Sequence, residues 1–246
     1  FFSQKKLILT TSMKSFLIIA IVLLYILVSS DFADGQCGGT NQSPIDFNTA
    51  TDRPILLNFS PASLSFINAF SITNGYGQGI TVNLESLQNT ITIDGSAYYL
   101  LEAQFHTPSE HTFNGYRYDA EIHYVFKDYL HDRLSVIAFP YASGGGSSNF
   151  LNSIQSSYPP KCQTNTIVPR SNIDWSEFTN TITQNAWYYK YYGSLTTYPC
   201  TEGITWFVYG GFLFMSADQL NRLQQSNGFN ARPTQPRNGR QVPPIF

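Results

Sequence analysis

Charge is scarce in this chain. Only 12% of its 246 residues are Asp, Glu, Lys or Arg, and 14 basic residues against 16 acidic ones leave a formal net charge of −2. No basic patch stands out, which argues against a nucleic-acid-binding surface. Long apolar runs are equally scarce. There is one, Phe16 to Val28, and it is shorter than the ~20 residues that span a bilayer comfortably. The glycine triplet at Gly144 to Gly146 is followed by no Lys-Ser/Thr, so it reads as a flexible loop and not a phosphate cradle. No separate Ser-His-Asp arrangement points to nucleophilic hydrolysis.

Met13 reads as the start of translation, with residues 1–12 as upstream sequence. Lys14, the apolar run, and a polar patch holding Ala33-Asp34-Gly35 follow the pattern of a secretory signal over residues 13–35. The expectation is a secreted protein without stable membrane insertion, its remaining residues 36–246 forming one domain. Aromatics are plentiful, with 16 Tyr and 19 Phe, which suits a β-rich fold. Cysteine is limited to Cys37, Cys162 and Cys200, and in a secreted chain two of the three should pair. Of two sequons, at Asn41 and Asn58, Asn58 is the better glycosylation candidate, because Asn41 lies just ahead of Pro44 in a segment expected to be packed.

Histidine is rare, yet three of the four histidines fall in one stretch, Leu101 to Phe126, along with Glu102, Glu110 and Glu121. Glu102, Gln104 and His106 share one parity, and Glu121 and His123 another. Strand side chains repeat with period two. Two antiparallel strands joined by a turn at Asn114-Gly115 would therefore bring Gln104, His106 and His123 to one face. Imidazoles converging there can bind a metal such as zinc.

QFHTPSEH and AEIHYV resemble the metal-binding segment of the α-class carbonic anhydrases. Three further segments resemble that family in order: QSPID at Gln42 to Asp46, YYGSLTTYPCTEGITW at Tyr191 to Trp206, and NARPTQPRNGR at Asn230 to Arg240. The resemblance implies an α+β, mainly β fold: a central, twisted, mostly antiparallel sheet with short peripheral helices. It implies a Zn2+ cofactor and reversible hydration of CO2 to bicarbonate. Residue by residue, it places His106 and His123 at zinc positions and Gln104 where the family has its first zinc histidine. Glu121 falls on the partner of the third histidine, and Glu102 replaces a supporting glutamine. Thr196 falls on the threonine that aligns the attacking hydroxide while donating to a buried glutamate, here Glu110. Val125, Val136, Leu195, Thr197, Ile204 and Trp206 fall on the pocket wall. His111 matches a buried structural histidine. A disulfide between Cys37 and Cys200 is implied as well, which leaves Cys162 as a free thiol or an intermolecular link.

The departures from the family matter as much. Gln104 offers an amide oxygen, a weaker zinc donor than imidazole. Tyr76, in Asn74-Gly75-Tyr76, takes the place of the family's proton-shuttling histidine. A phenol near pKa ~10 does not relay protons at neutral pH as an imidazole near ~6.5 does. Tyr198 replaces a proline at the expected pocket mouth, and the family's W-x-Y segment is not found ahead of Cys37. Two readings follow. One is a carbonic-anhydrase-like protein with zinc binding and CO2 hydration weakened or lost, acting in binding, matrix or storage. The other is an active enzyme using a His-His-Gln site. Elsewhere, stretches that alternate or carry β-branched residues predict strands at Leu64–Phe66, Ile80–Leu84 and Ile91–Ile93, and Arg133–Tyr141 reads as a buried strand, with turns at Asn74-Gly75 and Asp94-Gly95. Helices are expected over Asn149–Tyr158 and Met215–Gln225.

Overall fold

The computed structural model describes residues 37–57, 59–64, 69–75, 79–84, 89–159, 166–169 and 173–243. The signal segment, Asn58, Tyr76 and Cys162 lie outside the described residues. In chain order the strands are β1 (Asp46–Phe47), β2 (Ile55–Leu57), β3 (Ser60–Leu64), β4 (Ala69–Gly75), β5 (Gly79–Asn83), β6 (Asn89–Ile93), β7 (Ser96–His106), β8 (Thr112–Phe113), β9 (Tyr116–Arg117), β10 (Ala120–Asp128), β11 (Arg133–Ser143), β12 (Thr166–Pro169), β13 (Ala186–Ser194), β14 (Glu202–Tyr209) and β15 (Leu213–Met215). Among the described residues, three short helices accompany them: α1 (Asn149–Ile154), α2 (Ser176–Thr183) and α3 (Ala217–Asn227). Among the described residues, one large sheet runs β12-β4-β5-β7-β10-β11-β14-β13-β2, with β6 paired to β7, β3 to β6 and β15 to β11. Its pairs are antiparallel except where β11 meets β14 and β15.

The central strands are buried on both faces, and side-chain parity sorts two cores. On one face, Ala103 and Phe105 of β7, Ile122, Tyr124 and Phe126 of β10, and Ile137 and Phe139 of β11 pack beneath the helices, meeting Phe150, Phe178 and Leu223. On the other, Val125, Val136, Ala138, Ile204, Trp206 and Val208 meet Ile45, Phe47, Tyr189 and Tyr191. Glu102, Gln104, His106, Glu121 and His123 have the parity of this second face. A one-residue slip would send all five into the helix-covered core.

The Asn-Gly turn is real but closes a different hairpin. Asn114 and Gly115, with φ of 51° and 77°, link β8 to β9, a small pair that with β1 forms a separate sheet. The long strands β7 and β10 are joined by the whole segment 107–119. Their register is nevertheless the one the pattern requires, with Gln104 opposite His123 and His106 opposite Glu121. Asn74 and Gly75 do not form a turn. They end β4, paired with Ile80 and Gly79. At Asp94-Gly95 the turn is present. A register shift between Val125 and Phe126 interrupts the β7–β10 ladder. There Leu101 and Glu102, neighbours in sequence, reach the same cavity, as a bulge allows.

Helix α3 starts as its Ser-x-Asp sequence predicts. The Ser216 hydroxyl accepts from the Gln219 N–H, and the Gln219 side chain accepts from the Ser216 N–H, a reciprocal capping box. The polar C-terminal tail has no regular elements among its described residues, 228–243, and is tied down by hydrogen bonds. Gln235 N–H donates to Pro44 O, and the Arg232 guanidinium donates to the Gln42 side chain and to Ser43 O. The first and last of the four family-like segments thus lock together. Gly193 lies in the same knot, where a Cβ would stand 2.1 Å from the Ser43 hydroxyl.

Candidate metal centre

Glu121 is the hub of the site. It is fully buried and accepts the backbone N–H groups of Glu110 (3.0 Å) and His111 (2.9 Å) on one oxygen. Its other oxygen lies 2.6 Å from His111 Nδ1 and 2.7 Å from His123 Nε2. Burial alone pushes this carboxyl up, but the imidazoles of His111 and His123 and their hydrogen bonds outweigh burial and hold it well below the usual carboxylate range. An ionised carboxylate only accepts. His123 therefore carries a proton on Nε2, which leaves Nδ1 as the nitrogen that a metal could take. That nitrogen is buried and has no hydrogen-bond partner. His111 is committed elsewhere: its second nitrogen lies 2.7 Å from the Tyr191 hydroxyl. It is a structural bridge, as its sequence context suggests.

His106 sits beside His123 with ring centroids 4.4 Å apart. Neither of its nitrogens has a hydrogen-bond partner, although both are buried. Burial, with Glu110 opposing and His123 adding to it, pushes its pKa down to about 4. At neutral pH it is an uncharged imidazole with a free lone pair. In the metal-free protein the sign of the linkage is clear. A histidine depressed from 6.5 to about 4 destabilises the fold as pH falls through that interval, levelling off below it, by about 3 kcal/mol. Urea unfolding in chelator at stepped pH should show this loss between pH 6.5 and 4, and a His106→Gln variant should show much less of it.

Gln104 faces the cavity, and its amide nitrogen donates to Glu102 at 2.6 Å. Only the amide oxygen is left as a donor atom for a cation. Glu110, the residue matched to the threonine partner, is arranged differently from the family's pattern. Its Oε1 accepts the Arg232 N–H at 2.8 Å. Its Oε2 is buried without a partner, and so is Thr196 Oγ1. The expected hydrogen bond from Thr196 to Glu110 is not made, because the carboxylate is turned towards the two histidines. The Arg232 clamp was not visible from sequence. The tail carries a recognisable segment, but nothing in it names the carboxylate it holds.

A cavity of about 320 Å³ opens beside this cluster, lined among others by Glu102, Gln104, Val125, Leu195, Thr197 and Tyr198. Tyr198 is exposed, while Trp206 donates its indole N–H to Ser194 O and so anchors the loop that carries Leu195 to Thr197. Val136, Ile204 and Trp206 lie in the packed layer of the second core and do not line the cavity. His131 is half exposed and bonded to Asp128, remote from the site. Cys37 and Cys200 form a disulfide.

The donor set fits a zinc ion: two imidazoles with ring nitrogens that no hydrogen bond claims, one of them oriented by a carboxylate, plus carboxylate and amide oxygens nearby. The sheet thus carries, on two adjacent central strands, imidazoles that together with Glu110 could hold a metal ion. Residues 30–246 match the eukaryotic-type carbonic anhydrase family model. A carbonic anhydrase of Pectobacterium atrosepticum is 30% identical over 224 residues, covering 87% of this chain and 83% of its own. Alpha carbonic anhydrase 4 of Arabidopsis thaliana is 32% identical over 211 residues, covering 83% and 74%. The solved α-carbonic anhydrase of Thermovibrio ammonificans, in complex with sulfanilamide, superposes with a TM-score of 0.68 at 34% identity, over 83% of this chain and 87% of that one. The chain belongs to the α-carbonic anhydrase family.

Proposed function

We propose that this protein is a secreted α-carbonic anhydrase homologue whose zinc binding and CO2 hydration are weakened by loss of the third imidazole. The observation that carries the reading is the register of β7 and β10. It puts Gln104 directly opposite His123, with the Gln104 amide tied to Glu102. His106 and His123 would hold the metal, and an oxygen donor takes the place of the missing nitrogen. Zinc bound there would supply a Lewis acid that lowers the pKa of coordinated water towards ~7. The chain's own contribution is His123 held at Nε2 by Glu121, an apolar wall at Val125 and Leu195, and a cavity large enough for CO2 and bicarbonate. The Thr196–Glu110 arrangement that would orient the nucleophile is not made. Exchanging imidazole for an oxygen donor lowers zinc affinity by roughly 10³-fold. Export is supported by the signal pattern over residues 13–35 and by the disulfide, a bond that persists in oxidising compartments. Weak catalysis leaves the cavity free for a binding, matrix or storage role.

The test is zinc content and CO2 hydration of the protein purified without chelator. Zinc well below one equivalent, with slow turnover that rises on adding zinc, is the expected result. Near-stoichiometric zinc surviving dialysis, with fast sulfonamide-sensitive turnover, would show a competent enzyme and reject the weakened site.

A further inference from the structure

We infer that Glu110, and not Gln104, is the third metal ligand, so that this chain holds a divalent transition cation in a His106-His123-Glu110 set. The inference rests on the reading above that His106 and His123 hold a metal. It goes beyond that reading by choosing the oxygen donor, and it departs from the arrangement in which this glutamate only serves a threonine.

Three observations carry it. First, distance: His106 Nδ1 lies 3.3 Å from Glu110 Oε1, and His123 Nδ1 lies 3.8 Å from Glu110 Oε2. One donor atom from each of the three residues lies within 4.8 Å of the others. Zinc bonds of ~2.0–2.1 Å in a tetrahedral site place donors about 3.3–3.4 Å apart. The two histidine–glutamate pairs stand close to that spacing, each through its own carboxylate oxygen. Second, unmet bonding: both nitrogens of His106, Nδ1 of His123 and Oε2 of Glu110 are buried without hydrogen-bond partners. Buried polar atoms normally have partners, and a buried carboxylate set between two imidazoles whose facing nitrogens make no hydrogen bond offers a place for a cation. Third, commitment: Gln104 is turned by Glu102 and lines the open cavity. Its oxygen is neutral, whereas Glu110 offers an anion. Two histidines and a glutamate are a known type of zinc site and leave a fourth position open. The other compact group, His111 with Glu121 and His123, is held together by its own hydrogen bonds and competes poorly.

This assignment also accounts for the idle Thr196 hydroxyl. A Glu110 carboxylate engaged by Arg232 N–H and by the metal is not available to Thr196.

The experiment titrates Zn2+, and separately Co2+, into the metal-free full chain and into the Glu110→Gln and Gln104→Ala variants. Affinity is read by chelator competition and by the rise in thermal midpoint on metal addition. Glu110→Gln keeps an acceptor for Arg232 N–H, and circular dichroism checks its fold. We expect it to lose about 100-fold or more in affinity and most of the thermal shift, because a ligand has been removed. Gln104→Ala is expected to stay within about threefold, as for a residue that does not ligate. Loss in Gln104→Ala with Glu110→Gln unaffected would overturn the assignment, and equal losses would overturn the choice between them. Should Glu110→Gln fail to fold, Glu110→Asp replaces it, and an unchanged visible spectrum of its Co2+ form would overturn the proposal. Absence of any metal binding by the parent chain would reject the underlying reading together with the inference.

Discussion

Gln104→His is expected to raise zinc affinity by about 10³-fold and CO2 hydration by roughly 10²-fold or more, a size typical of restoring one oriented interaction at a reacting centre. The variant needs no rebuilding of the backbone. Position 104 already stands opposite His123 and one period-two step from His106. A third imidazole there would meet Glu102, whose carboxylate can accept from the ring nitrogen facing away from the metal. The histidine would also release Glu110. With three nitrogens on the cation, the Glu110 carboxylate is free to turn to Thr196, whose hydroxyl is buried without a partner. Zinc retained after dialysis and stopped-flow CO2 hydration check the two parts separately. Zinc regained without turnover would locate the remaining lesion outside the metal set, and Tyr76, which the family resemblance aligns with a proton-relaying histidine, is the first residue to exchange for histidine. No gain in zinc would show that the site has lost more than one ligand.

The reason so much of this centre was legible in advance is the strictness of strand periodicity. Once β7 and β10 are recognised as neighbours, parity alone decides that Gln104, His106 and His123 share a face with Glu102 and Glu121. The turn chemistry was legible too, but not its assignment. Asn114-Gly115 states that the chain reverses there, not which strands it joins, and the small β8–β9 hairpin was hidden inside the connection. Helix α2 left no usable signal. Its sequence, SEFTNTIT, is rich in β-branched and hydroxyl residues that favour other conformations. It is held by tertiary contacts instead. Phe178 and Ile182 enter the larger core, and the Glu177 carboxylate accepts from the Tyr141 and Ser148 hydroxyls. The Glu110 orientation was invisible for a related reason. It depends on Arg232, more than a hundred residues away, through a backbone N–H that no side-chain pattern advertises. Likewise Val136, Ile204 and Trp206 have the right parity for the cavity face, but parity does not say which residues line the void and which fill the layer behind it.

Glu121 supports the centre more than any ligand does, and its replacement separates stability from metal binding. Glu121→Ala removes the acceptor for two backbone N–H groups and two imidazoles at once. All are buried, so the donors would be left without partners. Loss of about 3–5 kcal/mol of unfolding free energy is expected, the range for breaking a buried charged network from one side. Urea unfolding at pH 7 in chelator measures this without any contribution from metal. Glu121→Gln should behave differently. Its amide oxygen can still accept the N–H groups of Glu110 and His111, so most of the stability remains. Its NH2 then faces His123 Nε2, which must become an acceptor. That moves the His123 proton to Nδ1, the nitrogen meant for the metal. Zinc affinity in Glu121→Gln is therefore expected to fall about 10- to 100-fold, although no ligand has been touched. A variant that keeps its fold and binds zinc as the parent does would show that the carboxylate does not set the tautomer, and that His123 is oriented by packing against Trp206 instead, with ring centroids 4.8 Å apart.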